Sequence, residues 1–255
     1  MADGENGRAR GIDRAISIFE HLREVRRPMP IGALAKALNA PRSSIYSLIS
    51  RLTEAGILET NGDGDIFFGR QVYFYADAYL ESQPVTRLGR DEVIRLSRQS
   101  GETAQLCVLV NNKYTVAFMH PGASLFRISS EAGVIVPIPW TASGRLLLGG
   151  LSDHKILELI PEEDFRLPSG EVLDRQNFLD QVREAHRQGV TETSGLSDPF
   201  TTCLAAAIRE RDGSPVATLC FMVPATTDRR RKDELLEALA ASAQGLNAAL
   251  GRGVT

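Results

Sequence analysis

Apolar residues recur at helical spacing in three successive segments near the N-terminus. Ile12, Ala15, Ile16, Phe19 and Leu22 fall at i, i+3, i+4, i+7 and i+10 and predict the apolar stripe of a first helix. Pro28 and Pro30 stop it. Ile31, Leu34, Ala35 and Leu38 predict a shorter second helix ending near Asn39. Ile45, Leu48, Ile49 and Leu52 predict a third, with Pro41 in its first turn, where a missing N–H is harmless. The short Asn39-Ala40 connection makes the second and third helices a helix-turn-helix. Ile57-Leu58-Glu59 and Ile66-Phe67-Phe68 then flank the turn Asn61-Gly62-Asp63-Gly64 and predict a β-hairpin, the wing of a winged helix-turn-helix.

Further on, Val72, Tyr75, Ala76, Tyr79 and Leu80 repeat at helical spacing, with Tyr73 and Phe74 adding apolar surface on other sides. A helix this aromatic around its circumference is expected to be buried against something. Gln83-Pro84 marks a boundary. Beyond it the pattern alternates. A helix over about 86–100 leads to strands at 103–110, 114–120 and 125–130. Helices follow near 141–151, 153–159 and 174–188, then strands at 202–209 and 216–223, and a final helix over 229–250. This is an α+β domain with a mainly antiparallel sheet.

Composition narrows the class. The chain has 255 residues, 43% hydrophobic and 24% charged, which suits one large domain or two modest ones, each with its own core. No run of about 18 uninterrupted apolar residues exists to form a transmembrane helix, and the polar N-terminus lacks the apolar centre of a secretory signal. Cys107, Cys203 and Cys220 have no CxxC spacing, and His21, His120, His154 and His186 are scattered, so neither a disulfide framework nor a metal site is expected. A reducing cytoplasm fits this usage. No GxSxG, GxGxxG or P-loop pattern is present. Cys203 lies in the apolar run 203–207, where a thiol is usually an inert small hydrophobe. No catalytic residue and no cofactor are expected.

The total charge of −3 hides a local excess. Between Arg8 and Arg51 nine basic residues stand against three acidic ones, 9 − 3 = +6. Phosphate attraction acts over about 8–10 Å at physiological salt, so the local balance governs nucleic-acid binding. The polar face of the third helix carries Arg42, Ser43, Ser44, Tyr46, Ser47, Ser50 and Arg51. Small hydroxyls permit close approach to the major groove, while Arg and Tyr reach phosphates or base edges. DNA contacts are therefore expected from Arg42, Ser43, Ser44, Tyr46, Ser47 and Arg51. The run Arg229-Arg230-Arg231-Lys232 is read as a solvated turn at a helix entrance.

Four blocks, Arg14–Phe19, Ile31–Ala35, Pro41–Tyr46 and Leu52–Glu59, resemble the IclR family of bacterial regulators in order and spacing. The resemblance continues through Gly101-Glu102-Thr103, Pro137–Arg145, Cys203–Ala206 and Gly213-Ser214-Pro215, and covers about 10–251. It implies a disordered tail over 1–9, a winged helix-turn-helix domain over 10–70, a linker helix over 71–84 that also contacts a partner subunit, and a GAF-like effector-binding domain over 85–251. Matched block by block, it assigns the effector pocket to Leu125, Ile128, Ala142, Ser143, Thr193, Thr201, Cys203, Cys220 and Met222. Three departures matter. Ser47 stands where the family usually has Arg, and Pro139-Trp140 precede the Thr-Ala pair where the family often has His. Where organic-acid sensors of the family place an acidic residue and two serines, this chain has Thr193, Cys220 and Met222. The resemblance thus implies a mainly apolar, aromatic or aliphatic effector.

The reading is a regulator that binds a pseudo-palindromic operator in double-stranded DNA as a homodimer or dimer of dimers, under the control of a small-molecule effector. Two alternatives stay open: a ligand-sensing protein–protein adaptor without DNA binding, which Ser47 favours, and a Cys203-dependent hydrolase or transferase.

Overall fold

A computed structural model describes residues 2–110, 113–123, 133 and 135–251, with residues 2–10 described by backbone alone. The chain divides into two compact units, 1–82 and 83–255.

In the first unit, α1 (Ala2–Val25) is followed by β1 (Met29–Pro30), α2 (Ile31–Ala37), α3 (Arg42–Glu54), β2 (Leu58–Thr60), β3 (Asp65–Phe68) and α4 (Arg70–Ser82). The strands form an antiparallel sheet in the order β1-β3-β2. Its core joins Ile18 and Leu22 of α1, Leu34 and Ala35 of α2, Ile45 and Ile49 of α3, Leu58 and Ile66.

Several expectations are corrected here. The backbone is helical from Ala2, where a disordered tail was expected to residue 9. Glu5, Arg8, Ala9 and Arg10 are good helix formers that extend the packed helix behind them. The buried stripe of α1 is also rotated. Ile18 and Leu22 are fully buried, whereas Ile12 and Ile16 are 63% and 53% exposed. At about 100° per residue, Ile16 and Ile18 point to nearly opposite sides and cannot both face one core. Strand β1 had no signal, because two residues containing a proline carry no periodicity. Pro30 fits because β1 is an edge strand.

In the wing, Asn61 Oδ1 accepts from the N–H groups of Asp63 and Asp65, each at 3.0 Å. Gly64 takes φ +82°, a conformation costly for any residue with a Cβ. Helix α4 has no buried residue. Tyr73, Phe74, Tyr75 and Tyr79 are all more than half exposed, so the described residues of the first unit do not cover the aromatic helix.

The second unit begins with α5 (Pro84–Ser100), β4 (Thr103–Val110), β5 (Lys113–His120) and β6 (Ile135–Val136). A 3-10 turn (Ile138–Trp140), α6 (Ala142–Leu147), α7 (Asp153–Leu159) and a second 3-10 turn (Glu162–Phe165) follow. Then come α8 (Arg175–Gln188), β7 (Val190–Ser194), β8 (Thr201–Arg209), β9 (Pro215–Pro224) and α9 (Arg229–Gly251). One six-stranded antiparallel sheet has the order β6-β5-β4-β9-β8-β7. This is the α+β, GAF-like arrangement.

Alternation along the strands divides the core in two. Ala104, Leu106, Leu204, Ala206, Leu219, Phe221 and Val223 pack with α5 and α9. Cys107, Tyr114, Val116, Ala205, Ala207 and Cys220 pack with the first 3-10 turn, α6, α7 and α8. Helix α6 is shorter than the expected 141–151. Gly149 ends the apolar run where a Cβ would stand 2.3 Å from His186 Nδ1. Strand β7 was missed because Thr191-Glu192-Thr193-Ser194 lacks the apolar alternation of a half-buried strand. The strand expected at 125–130 lies outside the described residues.

Candidate DNA interface and effector site

Ile45 and Ile49 turn one side of α3 into the core of the first unit. The opposite side therefore faces solvent. Arg42, Ser43, Tyr46, Ser47, Ser50 and Arg51 are exposed, Tyr46 to 51%. At 100° per residue Ser43, Ser47 and Ser50 form the centre of this face, Tyr46 lies beside them, and Arg42 and Arg51 lie at its two margins. Ser44 differs. It is half-buried and accepts from Arg14 Nη1 at 3.1 Å, so its hydroxyl ties α3 to α1. No acidic side chain occurs on α3 before Glu54. The wing segment 60–69 contains no Lys or Arg, and the nearby Arg70 is held by Glu59 at 3.2 Å.

The sheet face beneath α6 gathers the effector candidates. Register places Thr193, Cys203 and Met222 side by side across β7, β8 and β9, with Thr103 of β4 next in the row. Cys220 lies one step along the same face, between Ala205 and Gln105. Ala142 and Ser143 of α6 are fully buried, and the Ser143 and Thr218 hydroxyls face the Cys107 thiol, with no oxygen or nitrogen partner among the described residues. Thr201 faces the same side at the end of β8, its hydroxyl donating to Asp198. Leu125 and Ile128 lie outside the described residues.

All three thiols belong to this face. The Cys107 sulfur stands 2.9 Å from Tyr114 Oη, and burial pushes its thiol up to about 12. The Tyr114 phenol is likewise raised by burial. The Cys220 thiol donates to the Phe221 carbonyl oxygen at 3.4 Å. Interaction with the neighbouring Cys220 thiol, with the Arg145 charge and with the Thr193 hydroxyl holds the Cys203 thiol below its ordinary value against burial and Asp198. Cys220 is correspondingly raised, first by its interaction with Cys203 and then by burial. Among the described residues no group of three or more His, Cys, Asp or Glu side chains is arranged to hold a metal ion.

Adjoining this face, a cavity of about 480 Å³ opens between α8 and β7. Thr193 lines it, but so do Arg145, Asn177, Phe178 and Gln181, which the pattern analysis did not select. A signal for Arg145 exists in the sequence: it is a cation inside the otherwise uncharged run 133–152. The basic run at the start of α9 is occupied, as Arg229 pairs with Glu192 and Asp233, Arg230 with Glu234, and Arg231 with Glu102.

A winged helix-turn-helix with a basic, serine-rich outer helix, followed by a domain with a ligand-sized cavity, defines the class of ligand-responsive DNA-binding regulators. The sequence matches the IclR helix-turn-helix domain over 11–62 and the bacterial transcriptional regulator IclR C-terminal domain over 77–248. The chain belongs to the IclR family and is a DNA-binding transcriptional regulator controlled by a small effector.

It is 23% identical over 248 residues to the HTH-type transcriptional repressor AllR of Salmonella typhimurium, covering 95% of this chain and 90% of that one. The crystal structure of Thermotoga maritima IclR shares the fold with a TM-score of 0.78 at 18% identity, covering 94% of this chain and 98% of that one. An IclR homologue from Microbacterium hydrocarbonoxydans, complexed with 4-hydroxybenzoate, superposes with a TM-score of 0.76 at 20% identity, covering 92% and 98%.

Proposed function

We propose that this regulator acts as a homodimer or dimer of dimers, reads a pseudo-palindromic operator with the outer face of α3, and changes operator affinity when an effector enters the second unit. The observation that carries the reading is the composition of that face. Two arginines flank exposed serines and a tyrosine, with no acid before Glu54 and the opposite side buried. Arg42 and Arg51 hold phosphates, while Ser43, Tyr46 and Ser47 meet base edges. Ser44 contributes by fixing α3 against Arg14.

Oligomerisation is supported by α4. Four aromatic side chains more than half exposed on one 13-residue helix form an apolar surface of the kind that marks an interface. The occupant that fits is a second copy of α4, since closed symmetry is the rule for such assemblies and a symmetric dimer matches a palindromic operator.

The effector is mainly apolar, aromatic or aliphatic, because Cys203, Cys220 and Met222 supply soft surface on one sheet face. The chain works by binding in the cytoplasm, not by catalysis. Among the described residues no helix is long and apolar enough to cross a membrane.

The test is a mobility-shift series with the region upstream of its own gene at graded salt. A selective complex whose affinity falls with salt, and falls further on loss of Arg42 or Arg51, is expected. Equal affinity for scrambled DNA overturns the reading.

A further inference from the structure

The three cysteines come from three strands, and register brings them to one face of the six-stranded sheet. Cys203 of β8 stands directly opposite Thr193 of β7 and Met222 of β9. Cys220 lies diagonal to it, opposite Ala205, and Cys107 lies further along, opposite Thr218. Cys107 and Cys220 are buried, whereas Cys203 is partly exposed. Their acidities differ in the same sense. Burial pushes the Cys107 thiol up to about 12, and Cys220 is raised by its interaction with Cys203 and then by burial. Cys203 moves the other way, because the Cys220 thiol, the Arg145 charge and the Thr193 hydroxyl outweigh burial and Asp198. The thiolate is the nucleophile, so Cys203 is the one of the three prepared to react.

Arg145 of α6 supplies the second element. It is 3% exposed and lines the cavity of about 480 Å³ between α8 and β7, together with Thr193. Its Nε donates to Gln181 Oε1 at 2.9 Å, and its Nη1 donates to the carbonyl oxygens of Pro139 and Thr141 at 3.0 and 2.9 Å. Among the described residues no carboxylate forms an ion pair with this cation, and its Nη2 has no hydrogen-bond partner. Buried charges in proteins are as a rule paired. Burial lowers Arg145 to about 10, and the charge that opposes this is the Cys203 thiolate. A thiolate, a hydroxyl and a cation with a free N–H therefore share one side of the sheet beside an open cavity. A free guanidinium N–H there suits a reagent whose leaving group departs as an oxyanion. That describes a hydroperoxide and not a neutral alkylating agent.

We infer that Cys203 is a site of reversible oxidation by hydroperoxides, assisted by Arg145 and Thr193, through which the second unit takes a redox input besides its effector. The Cys203 sulfur attacks the terminal peroxide oxygen, an S–O bond forms and the O–O bond breaks. The sulfur is oxidised by two electrons to sulfenic acid and the peroxide is reduced by two. The alkoxide leaves beside Arg145, takes a proton from water and departs as the alcohol. The Thr193 hydroxyl, opposite Cys203 in the register, donates to the thiolate and holds it in place. The reaction is stoichiometric, and an added thiol reverses it. It places a polar S–OH group between Thr193 and Met222, in the row that forms the effector face.

The experiment uses the full chain, reduced and freed of thiol. Hydrogen peroxide and cumene hydroperoxide are added with dimedone, and the labelled cysteine is located by peptide mass spectrometry, with free glutathione at the same pH as the reference. An adduct on Cys203 is expected, formed about tenfold or more faster than on glutathione and absent in Cys203→Ser. Arg145→Met should slow the oxidation about tenfold, and Arg145→Lys should restore part of the rate. A Cys203–Cys220 crosslink, two hydrogens lighter, begins with the same sulfenic acid and also supports the inference. Labelling of Cys107 or Cys220 with Cys203 untouched, a Cys203 rate no faster than that of glutathione, or an unchanged rate in Arg145→Met each overturns it. Should Arg145→Met fail to fold, the contrast with glutathione and a slower rate in Thr193→Val decide. Operator affinity should shift after peroxide and return after dithiothreitol. An unchanged affinity in fully oxidised protein overturns the redox input.

Discussion

Arg14 of α1 donates through Nη1 to Ser44 Oγ of α3 across 3.1 Å, a contact between residues 30 apart that joins the first helix to the outer face of the third. The polar side of α3 thus contains residues of two kinds, those exposed to solvent and one tied to α1. Substitution should separate the two.

Ser44→Ala removes an acceptor from a half-buried bond and should destabilise the first unit by about 0.5–1.5 kcal/mol. It should weaken operator binding without changing the slope of log affinity against log salt. Arg42→Ala and Arg51→Ala should each reduce that slope by about one. Tyr46→Ala should change sequence preference more than slope. Filter binding at several salt concentrations, with the thermal midpoint, reads all four variants. An undiminished slope in both arginine variants removes the phosphate contacts.

The wing segment 60–69 contains no Lys or Arg, and Asp63 lies near its tip. Asp63→Ala should therefore leave the salt slope no smaller than before, and Asp63→Lys should steepen it if the wing approaches the backbone. Gly64→Ala should cost about 1 kcal/mol through the left-handed backbone at φ +82°. Denaturant titration of the isolated variants checks the second effect independently of DNA.

Tyr75→Ser combined with Tyr79→Ser should dissociate the oligomer while sparing the protomer, because no residue of α4 is buried within its own chain. Sedimentation at micromolar concentration should show the loss, and circular dichroism should be unchanged. A parent protein that sediments as a monomer, with and without DNA, refutes the interface.

Folding holds the proton of Cys107 up to about 12, against 9.0 for the free thiol, because burial disfavours the thiolate. The folded-state value is raised, so this contribution is fully present below about pH 9 and is lost as pH climbs towards 12. Tyr114 and Cys220, also raised, act in the same direction. Chemical denaturation between about pH 8 and 10, about one unit either side of the free thiol, should show falling stability, with a shallower fall in Cys107→Ala. Native Cys107 should also resist alkylation at pH 8, about where exposed thiols begin to react.

Cys220→Ser with Met222→Ser should lower affinity for an aromatic or aliphatic ligand and leave the fold intact, as the row is shared by several strands. Thermal-shift measurements with hexanoate compare the two proteins. Tighter binding of hexanoate by the double variant contradicts the apolar wall.

The boundaries of the main elements were legible because they rest on short-range rules. Helical spacing located α2 and α3, the Asn-Gly-Asp-Gly turn located the wing, and apolar runs located β4, β8 and β9. What failed were features with weak or ambiguous local patterns. Ile16 and Ile18 are equally apolar, and only the arrival of α2 and α3 decides that Ile18 is buried. Thr191–Ser194 is polar, and only pairing with β8 makes it a strand.

The sequence by itself determined the two-domain plan, the polar side of α3, and the shared side of Cys220 and Met222 on one strand, since alternation along a strand assigns sides without any knowledge of neighbours. Tertiary structure alone decided what lies against that face. Spacing cannot show that Arg145 is buried without a carboxylate partner, or that α4 leaves its aromatic rings uncovered. Burial and charge pairing depend on residues distant in the chain, and those distances close only when the sheet and helices pack.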